Sequence, residues 1–185
     1  MSSVKLLVLG AFARRNVAHG YRIYRDLLDW RVDTWTHVKP GSIYHALSQL
    51  EAQGMIKPQK QREKKLGPAR TEYVLTMNGH TEFITLLENA LKSNDFIELS
   101  AGIAFMEMLS REQVLALLKE RLVTVSAVPP FLKTLPTEDI PSEPSKHPEL
   151  MNVWIDYFES AKETTEKLIT AIEAGKYLFK NEKGK

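Results

Sequence analysis

The sequence contains no cysteine. Disulfides and thiolate metal sites are therefore excluded, and a reducing compartment, the cytoplasm, is the expected one. No apolar run is long enough to span a bilayer, so no membrane partner is expected. No basic segment leads into an apolar core with a small-residue cleavage site, so no secretory leader is expected either. The five histidines, His19, His37, His45, His80 and His147, stand at no metal-ligand spacing. An HExxH pair, a phosphate-binding glycine loop and a GxSxG elbow are all missing. The carboxylates are scattered. These absences predict no catalytic residue, no cofactor and no metal, and the chain is read as a non-enzyme.

What is present is an uneven distribution of charge. The net charge is only +2. Residues 1–92 nevertheless carry 14 Lys+Arg against 8 Asp+Glu, a net of +6, and residues 93–185 carry 11 against 15, a net of −4. This split predicts that the first half alone meets a polyanion.

The basic excess concentrates in Pro40–Arg70. Pro40-Gly41 opens a helix, because proline is tolerated in a first turn, and Gly54 stands where a left-handed cap ends one. Ile43, Leu47 and Leu50 fall on one side. The opposite side carries Gly41, His45, Ser48, Gln49 and Ala52, flanked by Ser42 and Tyr44. Small residues permit close approach to DNA, and hydroxyl, amide and imidazole tips reach phosphates or base edges. Alone, the same pattern equally describes an amphipathic surface helix. Residues 57–70 follow with Lys57, Lys60, Arg62, Lys64, Lys65 and Arg70 against a single acid, Glu63. Gly67-Pro68 marks a turn, and Thr71, Tyr73 and Leu75 alternate on the return strand. Alone, such a charge run describes a solvated face. A small-faced helix running directly into a cationic ribbon suits phosphate binding, since each cation displaces condensed counterions.

The flanking elements complete the arrangement. Ser2 or Ser3 caps a first helix carrying Val4, Leu7, Val8, Ala11 and Phe12, which ends near Arg15. A link, Asn16–Ala18, leads to a second helix from His19-Gly20-Tyr21 to Trp30. Residues 31–39 are expected to be a loop. After the ribbon, Thr76 caps a fourth helix to Lys92 with Phe83, Leu86, Leu87 and Ala90 inward. Gly79, in its first turn, reads either as a close-packing position or as a tolerated helix glycine. Three helices followed by two strands make a winged helix, so the fold class is mainly α, with a small β wing.

From residue 4 to about 92 the sequence resembles the PadR-type transcriptional regulators of bacteria. The pieces that carry the resemblance are LLVLGAF, HGYRIYRDL, KPGSIYHALSQLEAQGMI and GPARTEYVLTMNGHTEF, in that order. Two departures stand out: His45 occupies a position usually held by proline, and Lys64-Lys65-Leu66-Gly67 is a more basic wing tip than the family's. The resemblance implies a homodimer whose winged helices face successive major grooves of a pseudo-palindromic operator. It implies Ser42, Tyr44 and His45 as recognition-helix contacts and Tyr21 and Lys39 as phosphate contacts, with Lys60, Lys64, Lys65 and Arg70 contributed by the wing. His19 is read instead as a buried, hydrogen-bonded residue fixing the turn into the second helix.

Residues 93–185 read as a helical dimerisation domain. Asn94–Leu109 is apolar and helical. Ser110-Arg111-Glu112-Gln113 has the capping-box pattern and opens a helix to about Val125, which Pro129-Pro130 is expected to stop. Residues 129–148 hold six prolines and read as a semi-extended connector. A long helix from Glu149 to about Ala174 follows, with Gly175 as its stop. Leu150, Trp154, Tyr157, Ala161, Thr165, Leu168 and Ile172 form a seam at spacings of three and four, with Met151, Phe158 and Ile169 on a second edge. Trp154, Tyr157, Ala161, Leu168 and Ile172 are the expected dimer contacts. Trp154, Tyr157 and Phe158 read as interface core or, alternatively, as walls that stack a small planar effector. The tail from Lys180 is expected to fray.

The reading is a dimeric, sequence-specific DNA-binding regulator of the ligand-responsive repressor type. The alternative is a winged helix that binds an acidic protein partner. Operator sequence, regulated gene and effector are not legible in the residues.

Overall fold

The computed structural model describes residues 2–36, 38–59, 71–135 and 148–182. Packing divides the chain into two compact units: Met1–Ala90 with Asp95–Phe105, and Leu91–Asn94 with Met106–Lys185.

In the first unit, helix α1 (Ser2–Arg15) is the core element. Leu6 to Leu9, Ala11 and Phe12 are all buried, since other elements pack around most of its circumference. Helix α2 (Gly20–Asp29) buries Ile23 and Leu27. His19 caps it, its Nδ1 accepting from the Arg22 N–H at 3.1 Å, the expected hydrogen bond into the turn, although the residue is half-buried and not buried as the sequence suggests. Residues 31–39 are not wholly a loop, because Val32–Trp35 forms a short helix, α3, anchored by buried Val32. Helix α4 (Pro40–Ala52) buries Ile43, Leu47 and Leu50. It ends at Gly54, φ +68°, with Met55 N–H bonded to Leu50 C=O at 2.8 Å and Gly54 N–H to Glu51 C=O at 2.9 Å. This double closure needs a left-handed residue, which glycine adopts without penalty.

Two residues of the link at Asn16–Ala18 form a strand. β1 (Val17–Ala18), β2 (Ile56–Pro58) and β3 (Tyr73–Leu75) form an antiparallel sheet in the order β1-β3-β2. Val74 lies opposite Val17 on one side and Lys57 on the other. The turn at Gly67-Pro68 and most of the basic ribbon lie outside the described residues.

Helix α5 (Met77–Lys92) starts at Thr76, whose Oγ accepts from the Gly79 N–H at 3.1 Å. Gly79 is a close-packing glycine, because a Cβ built there would lie 2.1 Å from the Met55 carbonyl oxygen. Helix α6 (Phe96–Phe105) packs on α1, whereas a cut at 92/93 leaves it with the second half. Phe105 sits where a Cβ on Gly10 would come within 2.5 Å of its ring. It also meets Trp30 and Phe83 edge-on, with centroids 5.2 and 5.8 Å away.

In the second unit a 3-10 turn (Met106–Met108) leads to α7 (Arg111–Leu132). Its capping box at Ser110 and Gln113 is formed as the sequence predicts. Pro129-Pro130 does not stop it. A proline ring fixes φ near a helical value, and the helix runs on to Leu132 although each ring lacks an N–H to donate and crowds the carbonyl four residues earlier. Helix α8 (Pro148–Glu173) lies antiparallel on α7, since Arg111 at the start of α7 reaches the Ile172 carbonyl and Lys133, just past its end, reaches Glu159. The buried edge of α8 is Phe158, Thr165, Ile169 and Ile172, while Leu150 and Trp154 of the expected seam are exposed.

The tail does not fray at Lys180, where a second 3-10 turn (Lys180–Glu182) begins. Arg111 holds it: its Nε and Nη2 donate to the Glu182 carboxylate at 2.7 and 2.9 Å, and Nη2 donates to the Tyr177 carbonyl at 2.8 Å. The guanidinium also stacks on Phe179, which is fully buried. The Arg111 bonds, then the Phe179 N–H, pull the Glu182 carboxyl down to about 2. A carboxyl with a depressed folded pKa contributes stability above its unfolded value, and loses it as pH falls from there toward the folded one. Protection of residues 177–182 from hydrogen exchange is therefore expected to decline between about pH 4.5 and pH 2. Glu182→Gln should remove this acid dependence and leave the segment weakly protected at neutral pH. Equal protection in wild type and Glu182→Gln at neutral pH would show that Phe179 alone holds the tail.

Candidate nucleic-acid interface

The face of α4 opposite its buried stripe is open. Tyr44 is 52 % exposed, and His45, Ser48 and Gln49 are exposed with it. Ile43, Leu47 and Leu50 hold the helix from beneath, so these polar tips project from a fixed surface. Helix α2 crosses under α4 at Gly20, where a Cβ would come 2.5 Å from Leu47 and 3.1 Å from the Tyr44 ring. The HGY motif thus supplies both the cap of α2 and the small residue on which α4 rests.

The residues expected to touch DNA separate onto two flanks of α4. Tyr21 and Tyr44 share a recess of about 410 Å³ with Ser48, Thr71 and Tyr73. Ser42 and His45 line another, of about 460 Å³, with Gln49 and Gln53. Lys5 and Glu82 sit at this second recess and pair at 2.6 Å. Lys39 is exposed at the N-cap of α4, where its backbone is extended. His19 stacks beside Tyr21 with centroids 6.3 Å apart. Lys60, Lys64, Lys65 and Arg70 lie outside the described residues.

Thr71 and Tyr73 were missed as members of this surface. The Tyr73 hydroxyl donates to Glu51 Oε2 at 3.1 Å, tying β3 to the last turn of α4. Partial burial, then this bond, raise the Tyr73 phenol above its ordinary value, which keeps it protonated as the donor. The period-two pattern of the return strand placed Tyr73 on one face, but contact with Glu51 across 22 residues is a tertiary fact.

Among the described residues no group of His, Asp and Glu is disposed to hold a metal ion, and no helix is long and apolar enough to cross a membrane. Of the residues expected at a dimer contact, Trp154 is exposed, Tyr157, Ala161 and Leu168 are half-buried, and Ile172 is already covered within its own chain. Trp154, Tyr157 and Phe158 do form one aromatic cluster, with centroids 5.3 to 6.0 Å apart.

Residues 8–84 match the model of the transcriptional regulator PadR-like family. This stretch is similar to a PadR-like domain. The match runs from the middle of α1 to the middle of α5 and includes the open face of α4. Solved structures similar to the whole chain include Bacillus subtilis PadR in complex with operator DNA, 20% identical, with a TM-score of 0.41, covering 93% of this chain and 98% of that one. The PadR-like transcriptional regulator BC1756 from Bacillus cereus is 20% identical, with a TM-score of 0.36, covering 93% and 99%. The protein smu.1604c from Streptococcus mutans UA159 is 19% identical, with a TM-score of 0.41, covering 90% and 98%. No curated protein matches the chain. The family that this model describes is one of transcriptional regulators.

Proposed function

We propose that the chain is a cytoplasmic, homodimeric repressor that binds a pseudo-palindromic operator and is released by a small planar effector. The observation that carries this reading is the open, polar face of α4 on a PadR-like domain, anchored by Ile43, Leu47 and Leu50. Ser42, Tyr44 and His45 read base edges, Tyr21 and Lys39 hold phosphates, and Lys60, Lys64, Lys65 and Arg70 follow the adjacent backbone. Residues 1–92 serve as the DNA-binding part and 93–185 as the dimerisation part. Support for dimerisation comes from Val123, Phe131, Leu150, Val153 and Trp154, large apolar side chains of the second unit that are exposed in the single chain. The effector stacks against Trp154, Tyr157 and Phe158. It must bind the two dimer arrangements with different affinity to shift between them.

Selection of bound sequences from a random DNA pool at about 150 mM salt tests this reading, because non-specific binding is weak there. An inverted repeat with one half-site spacing is expected. Lys64→Ala with Lys65→Ala should weaken binding to all sequences and lower the slope of log affinity against log salt by about 2. Ser42→Ala and His45→Ala should instead alter the selected bases, each lost contact costing about 1–3 kcal/mol of discrimination. A folded protein that enriches no sequence, or a double lysine variant with an unchanged slope, would refute the assignment to DNA or to the wing respectively.

A further inference from the structure

Between the end of α5 and Asp95, which caps α6, lie two residues, Ser93 and Asn94. Helix α5 ends at Lys92, and Asp95 caps α6 by accepting from the Glu98 N–H at 2.8 Å. The joint packs with the second unit, although α6 and most of α5 pack in the first. Its two successive carbonyls are gripped by side chains from two different helices. Arg121 of α7 donates from Nε to the Ser93 carbonyl at 2.9 Å. Tyr157 of α8 donates its hydroxyl to the Asn94 carbonyl.

Arg121 is the unusual member. It is 2 % exposed, and no carboxylate among the described residues pairs with it. Its other partners are the Thr165 hydroxyl and, at 3.4 Å, the Ala161 carbonyl, both on α8. A buried cation without an acid is costly. Here it is compensated by carbonyl and hydroxyl oxygens, one of them just beyond the end of α5, where the helix dipole is negative. An apolar side chain would fill the same space at less cost, so packing alone does not explain an arginine. Tyr157 is also a member of the aromatic cluster, edge-on to both Trp154 and Phe158. The joint is therefore one hydrogen bond from a cluster whose outer ring, Trp154, is exposed.

We infer that Arg121 and Tyr157 are positioning residues for DNA recognition: by fixing the Ser93 and Asn94 carbonyls they set the separation of the two recognition helices in the dimer. This inference rests on the operator-binding reading above. The two residues touch no DNA and act through the backbone they hold.

The test uses the full-length dimer and a library of operators that keep both selected half-sites and vary the spacing between them. Arg121→Met and Tyr157→Phe remove the bonds with little change in volume. Arg121→Lys restores a donor. Wild type is expected to prefer one spacing. In Arg121→Met and Tyr157→Phe that preference over neighbouring spacings should fall by about fivefold or more. Arg121→Lys should recover part of it, while the affinity for an isolated half-site and the bases selected within it stay unchanged. Because Tyr157→Phe removes a single hydroxyl, it supplies the reading should Arg121→Met fail to fold. Hydrogen exchange at residues 93–95 should quicken in the same variants. A folded Tyr157→Phe that keeps the wild-type spacing preference would overturn the inference and leave operator binding standing. A wild type that selects no inverted repeat would overturn both.

Discussion

Gly79→Ala is expected to lower the stability of the first unit by about 3 kcal/mol, the upper end of the usual cost of overpacking. For a unit of this size that is a fall in Tm of roughly 12–24 °C. The cause is local and severe. The new Cβ would lie 2.1 Å from the Met55 carbonyl oxygen and 2.8 Å from a Leu75 methyl group. The Met55 carbonyl cannot step aside cheaply, because it accepts from both the Thr76 N–H at 3.0 Å and the Thr76 hydroxyl at 3.1 Å. Those bonds fix the start of α5 beside β2. Gly41→Ala is the matched control: nothing lies within 4 Å of a Cβ there, and φ is not positive. It should be neutral or stabilising by about 0.4–1 kcal/mol, since alanine narrows the unfolded ensemble. Thermal unfolding of both variants decides the matter. Equal melting temperatures for Gly79→Ala and Gly41→Ala would mean that α5 is not packed against Met55 as described.

Phe105→Ala is expected to cost about 3–5 kcal/mol, the range for truncating a fully buried aromatic side chain. The ring is fully buried beneath Gly10, edge-on to Trp30 and Phe83. The Arg14 guanidinium lies 4.4 Å from the Trp30 ring centroid and 5.2 Å from that of Phe105, and Arg14 donates to the Ala104 carbonyl at 2.8 Å. Removing the ring therefore leaves a cavity and loosens the contact that brings α6 to α1. Because α6 belongs to the first unit, the loss should appear in the unfolding of the winged helix and not only in that of α7 and α8. Leu178→Ala is a suitable contrast, because that side chain is 68 % exposed and should change stability by no more than about 0.5 kcal/mol. A Phe105→Ala variant within 1 kcal/mol of wild type, by chemical denaturation, would remove α6 from the first core.

Much of this molecule is written in local pattern. Ile43, Leu47 and Leu50 recur on one side of a helix, and the open face of α4 follows from that period alone. Ser110 with Gln113, and Gly54 and Gly175 beyond their helices, mark ends that form as the residues dictate, because capping depends on groups within one turn. Other features depended on partners far along the chain. The two residues of β1 are too few for any period, and only pairing with β3 makes them a strand. Pro129-Pro130 carried a strong local stop signal, yet the helix continues, with Pro129 buried in the second unit. The seam of α8 was legible as apolar, but which of its edges α7 covers is settled by Arg121, Thr165 and Ile172, not by spacing. Lys180–Glu182 reads as a polar tail because its period is polar, and it is held only because Arg111, 71 residues earlier, meets Glu182. By itself the sequence determined the presence of the longer helices, the caps at Gly54 and Ser110 and the polar face of α4, since those rest on interactions spanning a turn or two. Only the tertiary structure decided where Phe105, Arg121 and Glu182 go, since each is placed by a partner that no local pattern encodes.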